Sequence, residues 1–202
     1  MKLITVEGLK SFAEIRDSAA ATTTLLGIIV DATSARIQTH LNRNLTLAQY
    51  TEYFEAGFSR RKFYVSAYPI VISANQPFVL TDNGTVLTID DDFYLRQEEG
   101  LIEIDLAPIF VVPRQIKVVY YGGYDVVDDS TSLNDGALDI PDDMRLAAYM
   151  QCSYMYKRRN DLGLTSINIG GGGFSIAKMP AVELLPDVKA ILRNFRRVPG
   201  MY

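Results

Sequence analysis

The hydrophobic period changes twice along this chain, and that change limits the fold more than any motif does. From about Ala19 to Leu41 apolar residues recur at helical spacing: Leu25, Ile28, Ile29 and Ala32 form one stripe, widened by Leu26, Val30, Ile37 and Leu41. From Leu45 to Tyr124 the pattern alternates. Tyr50, Glu52 and Phe54 then oppose Thr51, Tyr53 and Glu55, as on the two faces of a strand. From Ile140 to Arg159 the helical spacing returns. The strands follow one another with no helix between them, so they pair antiparallel. No βαβ crossover and no dinucleotide-binding glycine fingerprint is available.

Local signals sharpen this outline. A short helical turn over Leu9–Ile15 precedes the first long helix, which Asp17 and Ser18 can cap. Short strands are predicted over Lys62–Ala67 and Ile70–Ser73, broken at Pro69. Phe78–Thr81 and Thr85–Ile89 flank Asp82-Asn83-Gly84. Asn-Gly between β-formers marks a hairpin, because both turn positions accept positive φ. Phe93–Gln97 and Leu101–Leu106 flank Glu98-Glu99-Gly100 as a second hairpin, and Gln115–Tyr121 is stopped by Gly122-Gly123. The second long helix, IPDDMRLAAYMQCSYMYKRR, has Pro141 at its entry and Asp142 and Asp143 at its positive end. Lys157, Arg158 and Arg159 stand at its negative end, and Gly163 follows as a stop. Met144, Ala147, Ala148, Met150, Tyr154 and Met155 supply its apolar cover.

The fold class is therefore α+β. Two long helices plus a C-terminal helix form a helical core (1–44 and 140–163), into which an antiparallel sheet or small sandwich (45–124) is inserted. An acidic loop, 125–139, carries five aspartates and no Lys or Arg. The remainder, 164–202, is a glycine-rich arm with a docking helix. Four consecutive glycines, Gly170 to Gly173, are costly to order, and no Gly-Lys-Ser/Thr follows to make a phosphate loop. Pro186 opens the last helix, to about Arg197, with Val188, Ile191, Leu192 and Phe195 at i, i+3, i+4, i+7. A helix this short is marginal alone in water, so it must dock on something. The glycine segment lets that be its own body, a neighbouring copy or another protein; for the last two, Val188, Ile191, Leu192, Arg193, Phe195, Arg196 and Arg197 are the candidate partner-binding residues.

Composition narrows the function. A chain of 202 residues buries roughly 70 % of its extended surface, enough for a full core. A net charge of −4 offers no global field for DNA or an anionic membrane. The longest apolar run, Leu25–Val30, is far short of the ~20 residues that cross a bilayer, and no signal peptide is visible. One cysteine, Cys152, permits no intrachain disulfide and reads as a small buried hydrophobe, in keeping with a reducing cytoplasm or a particle assembled there. The one histidine, His40, lacks the partners of a metal site. The acidic loop does not match calcium-loop spacing. No catalytic, cofactor-binding or metal-binding set is expected. Asp90, Asp91 and Asp92 with Glu98, Glu99 and Glu103 are the best candidates for enzyme chemistry, but they sit where strand ends and turns need caps. The Lys157-Arg158-Arg159 cluster is explained by the helix dipole, and no DNA-binding helix pair surrounds it.

The order of parts carries a resemblance. LITVEGLKSFAEI, LLGIIVDATSARIQTHLNR, YTEYFEAG, YPIVI, VVYYGGY, IPDDMRLAAYMQCSYMYKRR and LLPDVKAILRNFRRV together resemble the phage head–tail connector family of adaptor, or head-completion, proteins. The resemblance implies a ring, usually of twelve copies, beneath the portal. That ring extends the DNA channel and presents a surface to a tail, stopper or terminator protein. It implies a virion protein made in the host cytoplasm, portal and self as partners, DNA only in passage, and no enzyme activity or cofactor. A tail terminator or a β-rich adhesion module is the competing expectation.

Overall fold

The computed structural model describes residues 2–56, 61–105, 114–125, 138–159, 166–168, 175–177 and 183–197. The chain divides into two units, Met1–Ile37 with Pro141–Phe195, and Gln38–Ile140 with Arg196–Tyr202.

The first unit is helical. Its elements are α1 (Val6–Phe12), the greater part of α2 (Ala20–Leu41), α3 (Asp142–Lys157) and α4 (Pro186–Leu192), with a 3-10 turn at Arg193–Phe195. Thr5 caps α1, its hydroxyl accepting from the Gly8 N–H at 3.0 Å. The Asp17 carboxylate accepts from the Ala19 N–H at 2.9 Å and the Thr22 hydroxyl at 2.6 Å, bonds that hold its pKa below the ordinary value. Leu9, Leu26, Ile29, Val30, Ile37, Met144, Ala147, Ala148 and Cys152 make the core. Polar ties stitch it. The Leu3 N–H donates to Ser34 Oγ at 3.0 Å, Lys10 Nζ to Thr23 Oγ1 at 3.0 Å, and the Thr33 hydroxyl to Met155 Sδ at 3.3 Å. One expectation is corrected here. Ile28 and Ala32, assigned to the apolar stripe of α2, are exposed; the buried side is Leu26, Ile29, Val30, Thr33 and Ile37. The helix is apolar or small nearly all round, so its periodicity does not select a face. Two further strands, β9 (Ser166–Asn168) and β10 (Ser175–Ala177), pair antiparallel. The glycine run between them lies outside the described residues, as do 126–137 of the acidic loop.

The second unit is a two-sheet β structure. Its strands are β1 (Ala48–Ala56), β2 (Lys62–Tyr64), β3 (Ile70–Val71), β4 (Val79–Asp82), β5 (Thr85–Leu87), β6 (Phe93–Arg96), β7 (Leu101–Ile104) and β8 (Arg114–Gly122). One sheet runs β1-β8-β4-β5, with β3 also on β8; the other runs β2-β7-β6. Strand β8 is the axis, paired along nine residues with β1 from Ala48↔Gly122 to Ala56↔Arg114. Asn83 (φ 48°) and Gly84 (φ 89°) turn β4 into β5. Gly122 lets backbones meet, since a Cβ there would lie 2.5 Å from the Ala67 carbonyl oxygen. Phe63, Val65, Phe93, Ile102 and Ile104 on one side and Leu80, Ile116, Val118 and Tyr120 on the other fill the space between sheets. Aromatic pairs Phe54–Phe63 (5.4 Å) and Phe78–Phe93 (5.7 Å) join them.

Glu52 is a carboxylate at an inward position. Its Oε1 accepts from the Ser66 hydroxyl at 2.7 Å, the Ser66 N–H at 3.0 Å and the Tyr120 hydroxyl. Tyr120 Oη in turn accepts from the Ala67 N–H at 3.1 Å. Burial and the Glu52 carboxylate push the Tyr120 phenol to a higher pKa. Tyr120→Phe leaves the Ala67 N–H buried without its partner and is expected to lower stability by roughly 1–3 kcal/mol, read from a urea melt followed by tyrosine-independent circular dichroism.

Burial pushes the Cys152 thiol up to about 11 from an ordinary 9.0. The raised value means that the native chain holds the proton longer than the unfolded one. The associated stability is present below pH 9.0 and is lost as pH rises through about 11. Urea midpoints measured from pH 8 upward should fall, and fall less steeply in Cys152→Ala.

Candidate partner interface

The expected docking helix is tied into its own unit. Gln151, buried on α3, uses both ends of its amide: Nε2 donates to the Glu183 carbonyl at 2.9 Å and Oε1 accepts from the Leu185 N–H at 2.9 Å. Leu185 is the N-cap of α4 and has no side-chain cap of its own, so the amide fixes the helix entry from outside. Pro186 follows at the first turn, as its spacing predicts. Leu184, Val188 and Leu192 are buried, and α4 packs on α3. Burial of such side chains contributes roughly 1.5–3 kcal/mol each.

The seven candidate residues therefore divide. Val188 and Leu192 are covered by their own chain; Ile191 and Phe195 are half-buried; Arg193 and Arg196 are exposed. Arg197 belongs with the β unit, where its N–H donates to the Leu41 carbonyl at 2.9 Å and its Nη2 to the Tyr64 carbonyl at 2.7 Å. The helix itself ends at Leu192, and the 3-10 turn then carries the chain to Phe195. What faces outward is the cationic part of the segment, with the apolar stripe turned inward.

Three of the carboxylates considered for enzyme chemistry hold local structure. Asp92 Oδ2 accepts from the Thr88 N–H at 2.8 Å, Glu103 pairs with Lys62 at 3.2 Å, and Glu99 pairs with Arg96 at 3.7 Å. Among the described residues no cluster of His, Cys, Asp and Glu is arranged to hold a metal, and no helix is long and apolar enough to cross a membrane.

Arg43 is a residue whose burial the sequence did not signal. It lies just beyond α2 and is 5 % exposed. Its guanidinium carbon stands 3.7 Å from the Tyr68 ring centre and 5.3 Å from that of Tyr124, and Nη2 donates to the Tyr68 carbonyl at 3.0 Å. Two aromatic faces and a carbonyl stabilise this cation in the β unit.

The described residues thus form an α+β fold with antiparallel sheets. The chain belongs to the head completion protein family, whose model matches residues 2–198. That family consists of structural virion proteins and not of enzymes. No curated protein matches the sequence. Among solved structures, the chain is similar to one from the neck of an empty gene transfer agent particle computed with C6 symmetry. The TM-score is 0.57 at 15 % identity, covering 98 % of this chain and 92 % of that one. It is also similar to a chain of the virion of a native gene transfer agent particle, with TM-score 0.56, 15 % identity and the same coverage. At that identity the likeness speaks for the fold.

Gln151→Ala should free the entry of α4. Its amides are then expected to exchange at least about ten-fold faster, from the loss of roughly 1–3 kcal/mol of buried hydrogen bonding, with β8 amides unchanged. Hydrogen exchange with mass spectrometry reads both.

Proposed function

We propose that this protein is a head–tail connector adaptor in the neck of a phage-like particle. It forms a homo-oligomeric ring beneath the portal, extends the DNA channel and offers a docking surface to a tail or stopper protein. The observation that carries the reading is the family match along nearly the entire chain. The likeness in fold to a neck chain from a particle computed with C6 symmetry supports the ring. A net charge of −4 suits a bore through which DNA must slide, because bound phosphates would retard passage.

Within this reading, Val188 and Leu192 hold α4 on its own subunit, with Ile191 and Phe195 partly covered beside them, and Arg197 is tied to the Leu41 and Tyr64 carbonyls. Arg193 and Arg196 are left to meet acidic groups of the portal or of a neighbouring copy. Removing residues 180–202 would uncover α3, so charge reversal is the cleaner experiment. Arg193→Glu and Arg196→Glu, singly and together, should keep the native melting temperature within a few degrees. The double variant should lower attachment to portal-bearing heads at least about ten-fold, scored by co-sedimentation with tail-less heads. Undiminished attachment by a folded double variant would remove these two arginines from the interface.

A further inference from the structure

Among the described residues, the helical unit has two exposed apolar faces, and they lie on opposite sides of the same helix pair. The first is on α2. Ala21, Thr24, Ile28 and Ala32 are exposed, Ile28 to 61 %. Thr24 gives its hydroxyl to the Ala20 carbonyl at 2.9 Å, which leaves its methyl as the outward group. Asp31 and Arg36 are the only Asp, Glu, Lys or Arg in the helix, and they flank this face on either edge. A surface helix ordinarily turns its charges outward; one that is apolar or small all round is ordinarily covered.

The second face is on α3 and α1. Leu146 is 43 % exposed and Phe12 46 %. Phe12 stacks on Tyr149, one turn from Leu146, with ring centres 5.3 Å apart.

Helical geometry relates the two. Thr33 and Met155 mark where α2 meets α3. Leu146 points about 180° around α3 from Met155, and Ile28 about 140° around α2 from Thr33, at ~100° per residue. Each apolar face thus turns away from the contact between its helices.

We propose that these two faces meet between neighbouring copies, the Ile28 face of one subunit seated on the Leu146–Phe12 face of the next. The inference rests on the ring reading and names its seam. Three observations favour a second copy as the occupant. A closed ring uses heterologous contacts, in which each subunit offers two different surfaces on nearly opposite sides; this pair has that disposition. An identical partner brings the same sign of charge. For a chain of net charge −4, self-contact is therefore least opposed where a face carries no charge, as the centre of the α2 face does. Small residues at Ala21 and Ala32 on either side of Ile28 leave room for Leu146 and the Phe12 ring to approach.

The test is cross-linking in assembled particles. With Ile28→Cys and Leu146→Cys in one chain, a short bismaleimide is expected to yield a ladder running past dimer. Either single variant should yield none. Cys152 is buried with a raised pKa and does not compete. Dimers from Ile28→Cys alone would overturn the proposal, since they mean like faces meet. So would particles that contain the double variant in their necks but give no ladder.

A charge swap provides an independent measurement. Ile28→Asp and Leu146→Asp should each reduce ring formation at least ten-fold by native mass, and Ile28→Asp with Leu146→Lys in one chain should restore it. Failure of that restoration, with all variants folded, also overturns the seam. Immunolabelling separates this from the broader reading. A protein absent from necks that still forms the ladder when concentrated sinks the neck assignment and keeps the seam.

Discussion

The β unit is organised by one carboxylate in an apolar column. Glu52 occupies an inward position of β1, where the alternation calls for a hydrophobe, and it accepts from a phenol, a hydroxyl and a backbone N–H. A carboxyl group in that setting is tolerable only when it is hydrogen-bonded, and three donors converge on Oε1. Here they bind β1 to β8 through Tyr120 and to the strand-end segment at Ser66. The Tyr120 oxygen passes the arrangement on to Ala67, whose carbonyl lies so close to Gly122 that a side chain there has no space. Because β1, β3 and β4 all pair with β8, the register of the larger sheet follows from how β8 is seated. A slip of one residue would turn Glu52 and the whole inward set to the other face.

The helical unit uses a different device. Its core is ordinary, but its polar groups are placed to fix elements too short to hold themselves. Thr5 caps α1, and the Gln151 amide receives the chain before α4. A seven-residue helix gains little from its own hydrogen bonds, since nucleation consumes most of them. Its position depends on Val188 and Leu192 against α3 and on that amide. The place of α4 is set by side chains and not by the chain that leads to it.

Much of this was legible from residue order. Period changes separate helices from strands, Asn83-Gly84 marks the β4–β5 turn, and α2, α3 and α4 begin within a few residues of their capping or proline signals, whereas α1 runs Val6–Phe12 from a Thr5 cap and not over Leu9–Ile15. Local chemistry determines those features, so a local reading finds them. The long-range partners were not legible. Tyr120 lies 68 residues from Glu52, and Gln151 lies 34 from Leu185; nothing near either residue marks the pairing. Arg43 defeats reading for the same reason, since its aromatic neighbours at Tyr68 and Tyr124 are far along the chain. Val188 and Leu192 were visible as an amphipathic stripe, but a stripe says that a face is covered and not by what. On α2 even the face was ambiguous, because nearly every side is apolar or small.

That ambiguity has a physical meaning for an assembly protein. A monomeric globule gains solubility from charges on the outward side of its helices. A subunit built to be enclosed has a conflicting requirement, because charges on a seam would have to be desolvated and paired with every copy that arrives. The compromise in α2 is a face of alanine, threonine methyl and a single exposed isoleucine, modest enough to stay in water and free of ions that resist burial. Such a face binds weakly by itself. In a closed ring each copy is held from two sides, and the last copy to enter makes both contacts in one event, so closure multiplies what a single weak seam contributes. Under the seam proposed above, weak contacts of that kind favour a copy that enters between two neighbours over one that meets a single partner.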